Sequence, residues 1–239
     1  MGQNHISALA APKTWKLNRK KNKWAVRTNP GPHPLKKSLP LTIAIKDLLG
    51  YAETAKEVNK ILNDQQVRID KKVRREYNYG IGLMDVIDID KLNESYRVLY
   101  NQDGTLGLFK IKSNDSNLKI LKVIKKTMLK KGRLQLTFHD GRNCIQKDTK
   151  LMVGDGIVFD IDKKNILKEL KLERNSLVLL TGGKHIGKTA VVKEIIKAKN
   201  LEKAKVVITV DGSDYITLMD YAFTLGKNKP EVNLGENNE

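Results

Sequence analysis

The chain has 239 residues, enough for one large domain or two to three small ones, and its 45 Lys and Arg against 27 Asp and Glu give a net charge of +18. Its single cysteine, Cys144, excludes an internal disulfide and any zinc or iron–sulfur site built from several cysteines. With 40% apolar residues the sequence predicts a folded protein, whose positive charge favours a nucleic acid partner over a membrane.

The apolar runs and the N-terminal residues indicate where in the cell the protein is located. The longest apolar runs, Leu177–Leu180 and Val206–Ile208, are far shorter than the roughly 20 residues of a membrane-spanning helix. Residues 1–15 contain no continuous apolar stretch of the kind found in secretory signals. We therefore expect a cytoplasmic protein with no membrane partner.

The first 38 residues predict a basic arm. Residues 1–50 hold ten basic residues and one acidic residue, and five of the six prolines lie in the first 40. Because proline blocks helices and removes hydrogen-bond donors, we expect an extended, poorly packed arm, either disordered alone or ordered along phosphates. Trp15 and Trp24 either stack on bases or dock on the protein's own core. The basic residues of the arm are Lys13, Lys16, Arg19, Lys20, Lys21, Lys23, Arg27, Lys36 and Lys37.

The next segment predicts helix, helix, strand, strand. Apolar residues from Leu39 to Leu62 recur at helical spacing and indicate two short helices separated by Gly50, the second capped by Thr54. Residues 67–74 alternate apolar and charged side chains, which indicates a half-buried strand turning at residues 70–71. Its charged side is nearly all basic, and Val67, Ile69 and Val73 are expected to be buried. Residues 84–90 follow as a further strand.

Short β-like runs dominate the remaining sequence. Turn signals such as Asp103-Gly104, Asp140-Gly141 and Asp211-Gly212 separate them, and this spacing predicts an all-β region followed by further strands. The runs are Tyr96–Tyr100, Leu106–Ile111, Lys119–Ile124, Leu134–Phe138, Asn143–Ile145, Gly156–Ile161, Ser176–Leu180, Val206–Val210 and Tyr215–Leu218.

Residues 182–189 match the phosphate-loop pattern of nucleotide hydrolases. A strand-like apolar run precedes them, residues 190–196 have helical spacing, and a strand ending at Asp211 resembles the magnesium-binding strand of such enzymes. Only 50 residues follow Thr189, however, and a nucleotide-binding sheet needs several further strand–helix units. The pattern is therefore expected to be a coincidence.

No other catalytic or metal-binding set emerges. The four histidines, His5, His33, His139 and His185, are scattered and are interpreted as surface or turn residues. On a strand, Asp85 faces opposite to Asp88, so the aspartates at 85, 88 and 90 are expected to have solvent or basic partners instead of a shared metal. We predict no catalytic residues, no metal and no cofactor.

Six ordered segments carry a resemblance to a known family: Ala10–Trp15, Gly31–His33, Val67–Arg74, Gly82–Ile87, Thr181–Gly183 and Gly226–Pro230. Together they resemble the e-type small-subunit ribosomal protein family S4e of archaea and eukaryotes, over nearly the whole chain and in its archaeal form. The resemblance implies an α+β multidomain protein. It has a basic N-terminal arm (1–38), a small α/β S4-type RNA-binding domain (39–92), a central β-barrel-like domain (93–170) and a C-terminal small β-barrel with a KOW motif (171–239).

The resemblance also implies a function and its residues. The expected role is a structural constituent of the small ribosomal subunit that binds ribosomal RNA (rRNA) beside neighbouring ribosomal proteins, with no enzymatic activity and no small-molecule substrate. The alternatives are a non-ribosomal RNA-binding regulator and the phosphate-loop hydrolase. Beyond the arm, the implied RNA-binding residues are Lys56, Lys60, Arg68, Lys71, Lys72, Arg74 and Arg75 by similarity to the S4 motif, and Lys184 and Lys188 by similarity to the KOW motif.

Overall fold

The computed structural model describes residues 4–147, 149–196 and 202–237. These residues are mostly β, with few helices, and they form two compact units. The first unit comprises residues up to 100, 104–117 and those from 234 onward, and the second comprises 101–103 and 118–233. No helix in the described part of the chain is long and apolar enough to cross a membrane.

The helices lie mainly in the first unit. Helix α1 (Leu41–Ile43) continues as one wider helical turn, Ala44–Leu48, and ends before Gly50, whose φ of +68° suits glycine. Helix α2 (Ala55–Asn63) begins at Thr54, whose side chain accepts a hydrogen bond from the Glu57 amide while Glu57 bonds back. The two predicted helices and the Thr54 cap are confirmed. Short 3₁₀ turns occur at Leu35–Lys37, Asp90–Leu92, Ser113–Asn117, Lys130–Gly132 and Met219–Tyr221.

Antiparallel strands form the framework of the first unit. Strand β1 pairs with β2, β3 pairs with β6, and a larger sheet has the order β9-β8-β7-β4-β5. The larger sheet buries Val67, Ile87 and Val98, and its central strands β7 and β8 are buried along nearly their whole length. The strands are β1 (His5–Ser7), β2 (Trp24–Val26), β3 (Ser38–Pro40), β4 (Val67–Ile69), β5 (Lys72–Val73), β6 (Gly80–Gly82), β7 (Val86–Ile89), β8 (Glu94–Tyr100) and β9 (Leu106–Ile111).

The second unit contains two five-stranded antiparallel sheets, ordered β12-β11-β10-β13-β14 and β18-β17-β16-β15-β19. The first sheet buries Leu136 and Phe138, and the second buries Val192 and Ile208. Its strands are β10 (Leu118–Met128), β11 (Leu134–Phe138), β12 (Asn143–Gln146), β13 (Gly156–Asp160), β14 (Asn165–Leu170), β15 (Leu177–Leu180), β16 (Thr189–Ile196), β17 (Lys205–Val210), β18 (Ser213–Leu218) and β19 (Ala222–Gly226).

The chain then returns to the first unit. Its last strand, β20 (Glu236–Asn237), pairs antiparallel with β9 through Phe109 and Lys110. The nine predicted β runs are all found as strands, with bounds that shift by up to four residues. The expected central all-β region begins with β8 and β9, and in the structure these two strands join β7 in the sheet of the first unit.

The segment after Thr189 is a strand, so its helical spacing is misleading. Residues 189–196 pair with β15 on one side and β17 on the other. A register shift between Val192 and Glu194 marks a β-bulge. The extra residue turns Ile195 inward beside Ala190 and Val192, and this spacing imitates a helix. Whether residues 197–199 continue as strand or helix lies outside the described residues.

Candidate nucleic-acid interface

The N-terminal arm is folded. Strand β1 pairs with β2, and the indole of Trp15 is 2% exposed and donates from Nε1 to the carbonyl of Ser38. The expectation of a poorly packed arm is therefore wrong for residues 4–38, because strand pairing and tryptophan burial supply contacts despite the prolines. Trp15 docks on the core and is not available to bases. Trp24 is 58% exposed, with the Lys23 ammonium 5.6 Å from its ring centre.

Some basic residues of the arm bind its own backbone, whereas others are exposed to solvent. The guanidinium of Arg19 donates 2.8 Å hydrogen bonds to the carbonyls of Ala8, Ala11 and Pro12, so this predicted RNA ligand holds the arm's own backbone together. Arg27 is half-buried. The exposed basic residues of the arm are Lys13, Lys16, Lys20, Lys21, Lys23, Lys36 and Lys37.

A buried hydrogen bond between His33 and Asp85 fixes the end of the arm. His33 Nε2 lies 3.0 Å from Asp85 Oδ2, and both side chains are buried. The His33 ring also lies against Gly82, where an added Cβ would come within 2.3 Å of it. The interpretation of His33 as a surface residue is wrong, because the close approach of Gly82 makes room for the ring in the core.

The hairpin of β4 and β5 places positive charge beside carboxylates. Its turn residues Asp70 and Lys71 both have positive φ, 49° and 62°, as in a tight two-residue hairpin turn. Arg68 Nε lies 2.8 Å from Asp90. Val67 and Ile69 are buried as predicted, but Val73 is 41% exposed. Val73 pairs directly with Arg68, so it shares the exposed face of the sheet with that arginine.

Lys71 is held from two sides. Its ammonium lies 3.0 Å from Asp88 Oδ2 and also contacts the hydroxyl of Ser116. The turn containing Ser116 is held in turn by Arg97, which donates to the Asp115 carbonyl at 3.0 Å. Burial lowers the pKa of Arg97 to about 10, so it stays charged at neutral pH. Lys71 therefore offers an anion less free charge than its sequence position suggests.

The remaining predicted residues of this region are exposed, except for the half-buried Arg74. Arg74 stacks on the ring of Tyr79, with its guanidinium carbon 4.4 Å from the ring centre. Lys72 and Arg75 follow the turn and are exposed. Lys56 and Lys60 are exposed one helical turn apart on α2, so both lie on one face of that helix. Within the described residues, no ion pair is found for Lys56, Lys60, Lys72 or Arg75.

The glycine-rich segment 181–188 is a turn between antiparallel strands. Leu179 pairs with Thr189, so the chain reverses and enters a strand, not the helix whose N-terminus would hold a phosphate. The phosphate-loop interpretation is therefore wrong. Gly187 has φ +80°, and a Cβ there would come within 2.3 Å of the Asn101 carbonyl oxygen. Lys184 is exposed, whereas Lys188 is paired with Asp211 at 2.7 Å.

The structure shows one basic surface that sequence reasoning missed. We call it the basic ribbon, residues 122–136 of the β10–β11 hairpin, which contain six basic residues and no acidic one. Every side chain from 124 to 135 is exposed or half-buried, so the ribbon extends past its sheet's core. Lys122 and Lys126 donate to backbone carbonyls, whereas the exposed Lys125, Lys130, Lys131 and Arg133 have no ion pair within the described chain. The absence of acidic residues was the available signal.

Comparison with known proteins identifies the family. The model of ribosomal family S4e matches residues 92–166, and the RS4NT domain model matches residues 2–36. The small ribosomal subunit protein eS4 of Staphylothermus marinus is 37% identical, over 98% of this chain and 97% of its own length. The chain belongs to ribosomal family S4e. The S4e protein of Methanothermobacter thermautotrophicus is 36% identical, over 97% of this chain and 96% of its own length.

The fold of the S4e family agrees with this assignment. The crystal structure of the 30S ribosomal protein S4e from Thermoplasma acidophilum superposes with a TM-score of 0.71 at 31% sequence identity. The match covers 80% of this chain and 96% of that structure. The resemblance to S4e proposed from six short segments is therefore confirmed.

Proposed function

We propose that this chain is a structural constituent of the small ribosomal subunit, where it binds rRNA and supports assembly and translation in the cytoplasm. The observation that carries the proposal is similarity over 97–98% of the chain to curated small ribosomal subunit proteins. The proposed partners are small-subunit rRNA and neighbouring ribosomal proteins. The proposed role involves no catalytic step, cofactor or metal.

The proposed RNA contacts are mainly to phosphates. Exposed lysines on the arm, on α2 and on the basic ribbon give separate positive surfaces, and backbone contact positions a protein on RNA without reading its sequence. Lys72 and Arg75 are proposed as the hairpin's main phosphate ligands, since Arg68 and Lys71 are already paired with Asp90 and Asp88. Arg19 is proposed to act indirectly, by shaping the arm.

The four predicted domain ranges remain predictions. We propose that residues 39–92 form an S4-type RNA-binding domain and that residues 171–239 include a KOW motif around the turn at 181–188. Two features support this: the helix, helix, hairpin order of α1, α2, β4 and β5, and the small antiparallel sheet around β15 and β16. The arm (1–38) and a central β domain (93–170) complete the proposed arrangement.

Sedimentation of native lysate on a sucrose gradient tests the function. We expect the chain in the small-subunit peak at close to one copy per subunit, and we expect it to remain there after a moderate salt wash. A chain that stays at the top of the gradient, or that washes off to substoichiometric levels, would contradict the proposal. A known small-subunit protein detected in the same fractions controls for intact particles.

A charge-neutralising variant tests the proposed hairpin and helix ligands. Changing Lys56, Lys60, Lys72 and Arg75 to Gln should flatten the log–log dependence of rRNA affinity on salt by roughly 0.7 to 0.9 for each phosphate that the variant no longer binds. The matched control changes Arg68 and Lys71, whose charges are already paired, and should change the slope much less. Equal slope changes in the two variants would contradict the proposal that basic residues without carboxylate partners are the main phosphate ligands.

A further inference from the structure

One edge of the second unit carries an open row of backbone hydrogen-bonding groups. Strand β18 is the outermost strand of its sheet, and no other strand in the described chain pairs with its outer side. It is joined to β17 by Asp211 and Gly212, with φ values of 50° and 82°, a two-residue turn that pairs Val210 with Ser213.

The register decides which peptide groups face outward. In a two-residue hairpin the residues flanking the turn exchange hydrogen bonds, and every second residue along the strand does the same. The Met219 amide donates to the Ala204 carbonyl at 3.0 Å, which agrees with this alternation. The amides and carbonyls of Asp214, Ile216 and Leu218 therefore point away from β17, toward the open edge.

An exposed apolar side chain, Ile216, lies on this edge strand. Ile216 is 67% exposed and pairs directly with Val207 on β17, so the two side chains lie on the same face of the sheet. On β16, Val191 is 42% exposed and pairs with Thr209 on that same face. Exposed edge strands with apolar side chains readily accept another strand.

The charges on this sheet argue against RNA as the occupant. Residues 205–220, which include β17, β18 and the turn after them, hold one basic and three acidic residues, against twelve basic and four acidic in residues 101–150. Four described lysines of the sheet and its connections already have carboxylate partners. These ion pairs are Lys188–Asp211, Lys193–Asp214, Lys203–Asp220 and Lys205–Glu202. At the β18 edge a phosphate backbone would meet lysines that carboxylates already neutralise, whereas a polypeptide strand needs only the open amides and carbonyls.

We propose that the outer edge of β18 binds an extended segment of a neighbouring small-subunit protein, which adds a strand to this sheet. The open amides and carbonyls supply the main-chain hydrogen bonds of such strand addition. An apolar side chain of the incoming strand packs on the exposed Ile216. The assignment rests on the proposed place of the chain in the small subunit.

Photo-crosslinking in purified small subunits tests the class of partner. A photoreactive amino acid replaces Ile216 in the full chain, and in a second variant it replaces Leu167, an equally accessible apolar residue on β14 that is 54% exposed. We expect position 216 to crosslink one subunit protein at a yield at least about tenfold above position 167. Crosslinks from 216 to rRNA, or a yield no higher than at 167, would overturn the proposal. Sedimentation of both variants separates this result from failure to enter the subunit.

Hydrogen exchange tests the strand addition itself. We expect the amides of Asp214, Ile216 and Leu218 to exchange at least about tenfold more slowly in the small subunit than in the free chain, because a bound strand must open before they exchange. Equal exchange in the two states would overturn the proposal.

A proline at position 216 separates strand addition from general covering of the surface. Ile216→Pro removes an outward amide without removing a bond to β17, so the free chain should stay folded, with the amides of Ile208 and Val210 still protected. In subunits it should abolish the added protection at 214 and 218, while the control Ile216→Val should retain it. Retained protection in the folded proline variant would overturn the proposal.

Discussion

The basic ribbon and the β16–β18 sheet are two antiparallel surfaces of the same unit, both rich in lysine, and they differ in their carboxylates. The ribbon has none, so its exposed lysines keep their full charge. In the β16–β18 sheet the lysines at 188, 193, 203 and 205 each lie beside an Asp or Glu. The number of basic residues therefore does not identify an anion-binding surface, and the position of acidic residues must be known as well.

The two surfaces also differ in what their charges contribute to stability. Exposed ion pairs stabilise a fold by only about 0 to 1 kcal/mol, because water and salt screen them. Their larger effect is to lower the positive potential that attracts a polyanion. The exposed lysines of the ribbon keep that potential, and the proposed RNA contact would gain affinity by releasing counterions from RNA.

The base and tip of the ribbon should differ most in stability. Leu136 is fully buried at the base, so Leu136→Ala should lower the free energy of unfolding by about 2 to 5 kcal/mol. Met128 is 75% exposed near the tip, so Met128→Ala should change it by less than about 0.5 kcal/mol. Denaturant titrations of both variants measure the difference. Similar losses would show that the tip is packed and is not an open RNA-binding surface.

Neutralising each surface in turn tests the comparison directly. Changing Lys125, Lys130, Lys131 and Arg133 to Gln should reduce the log–log salt slope of rRNA binding by about 3, at roughly 0.7 to 0.9 per phosphate. The matched control changes Lys188, Lys193, Lys203 and Lys205 to Gln and should reduce it by less than about 1. Filter binding at several salt concentrations gives both slopes. A larger effect in the control would reverse our assignment of the two surfaces.

Removing carboxylates should make the paired surface resemble the ribbon. The triple change of Asp211, Asp214 and Asp220 to Asn frees Lys188, Lys193 and Lys203, and it should strengthen non-specific RNA binding at low salt by severalfold, at roughly 1 kcal/mol or less per charge. The same binding assay measures the gain. Asp162→Asn, at an exposed turn aspartate of the other sheet, is the control for the change in net charge. An equal gain in the control would mean that net charge, not the released lysines, sets affinity.

The smallest expected effect is a change in the pKa of Asp214, which is paired with Lys193. Hydrogen bonds from Lys193 and Thr209 lower the pKa of Asp214 below its ordinary 3.8. Because the folded pKa is below the unfolded one, the stabilisation is present above pH 3.8 and is lost as the pH falls through the folded value. Carboxyl-carbon NMR should show the pKa rise in Lys193→Gln and stay unchanged in Lys184→Gln. An unshifted pKa in Lys193→Gln would show that the ion pair does not form in solution.

Local patterns predicted both helices and many strands, missed others such as β14 and β19, and were misleading where one extra residue altered the period. The Thr54 cap and the β9 and β11 bounds follow from side chains close in sequence. In β16 the bulge after Val192 changes the spacing of inward residues, and its position depends on pairing with β17. A pattern read along one strand cannot show where its partner shifts register.

The site could be predicted only in part, for a related reason. Composition correctly placed basic residues on the surfaces of the arm, α2 and the hairpin. It could not show that Arg19 bonds to backbone carbonyls or that Lys188 faces Asp211, because those partners lie 7 to 23 residues away. Their positions depend on tertiary packing. The ribbon was missed because it matches no motif, although its lack of acidic residues is visible in the sequence.

Because β20 pairs with β9, the sheet of the first unit can be completed only when the end of the chain has been synthesised. A nascent chain emerging from the ribosome exposes β9 long before Glu236 and Asn237 are made, since residues 118–233 of the second unit are translated in between. Until then, the backbone of Phe109 and Lys110 lacks the strand that finally covers that side of the sheet. The first unit to be translated is thus the last to be completed, and the second unit can fold before the first has its final edge.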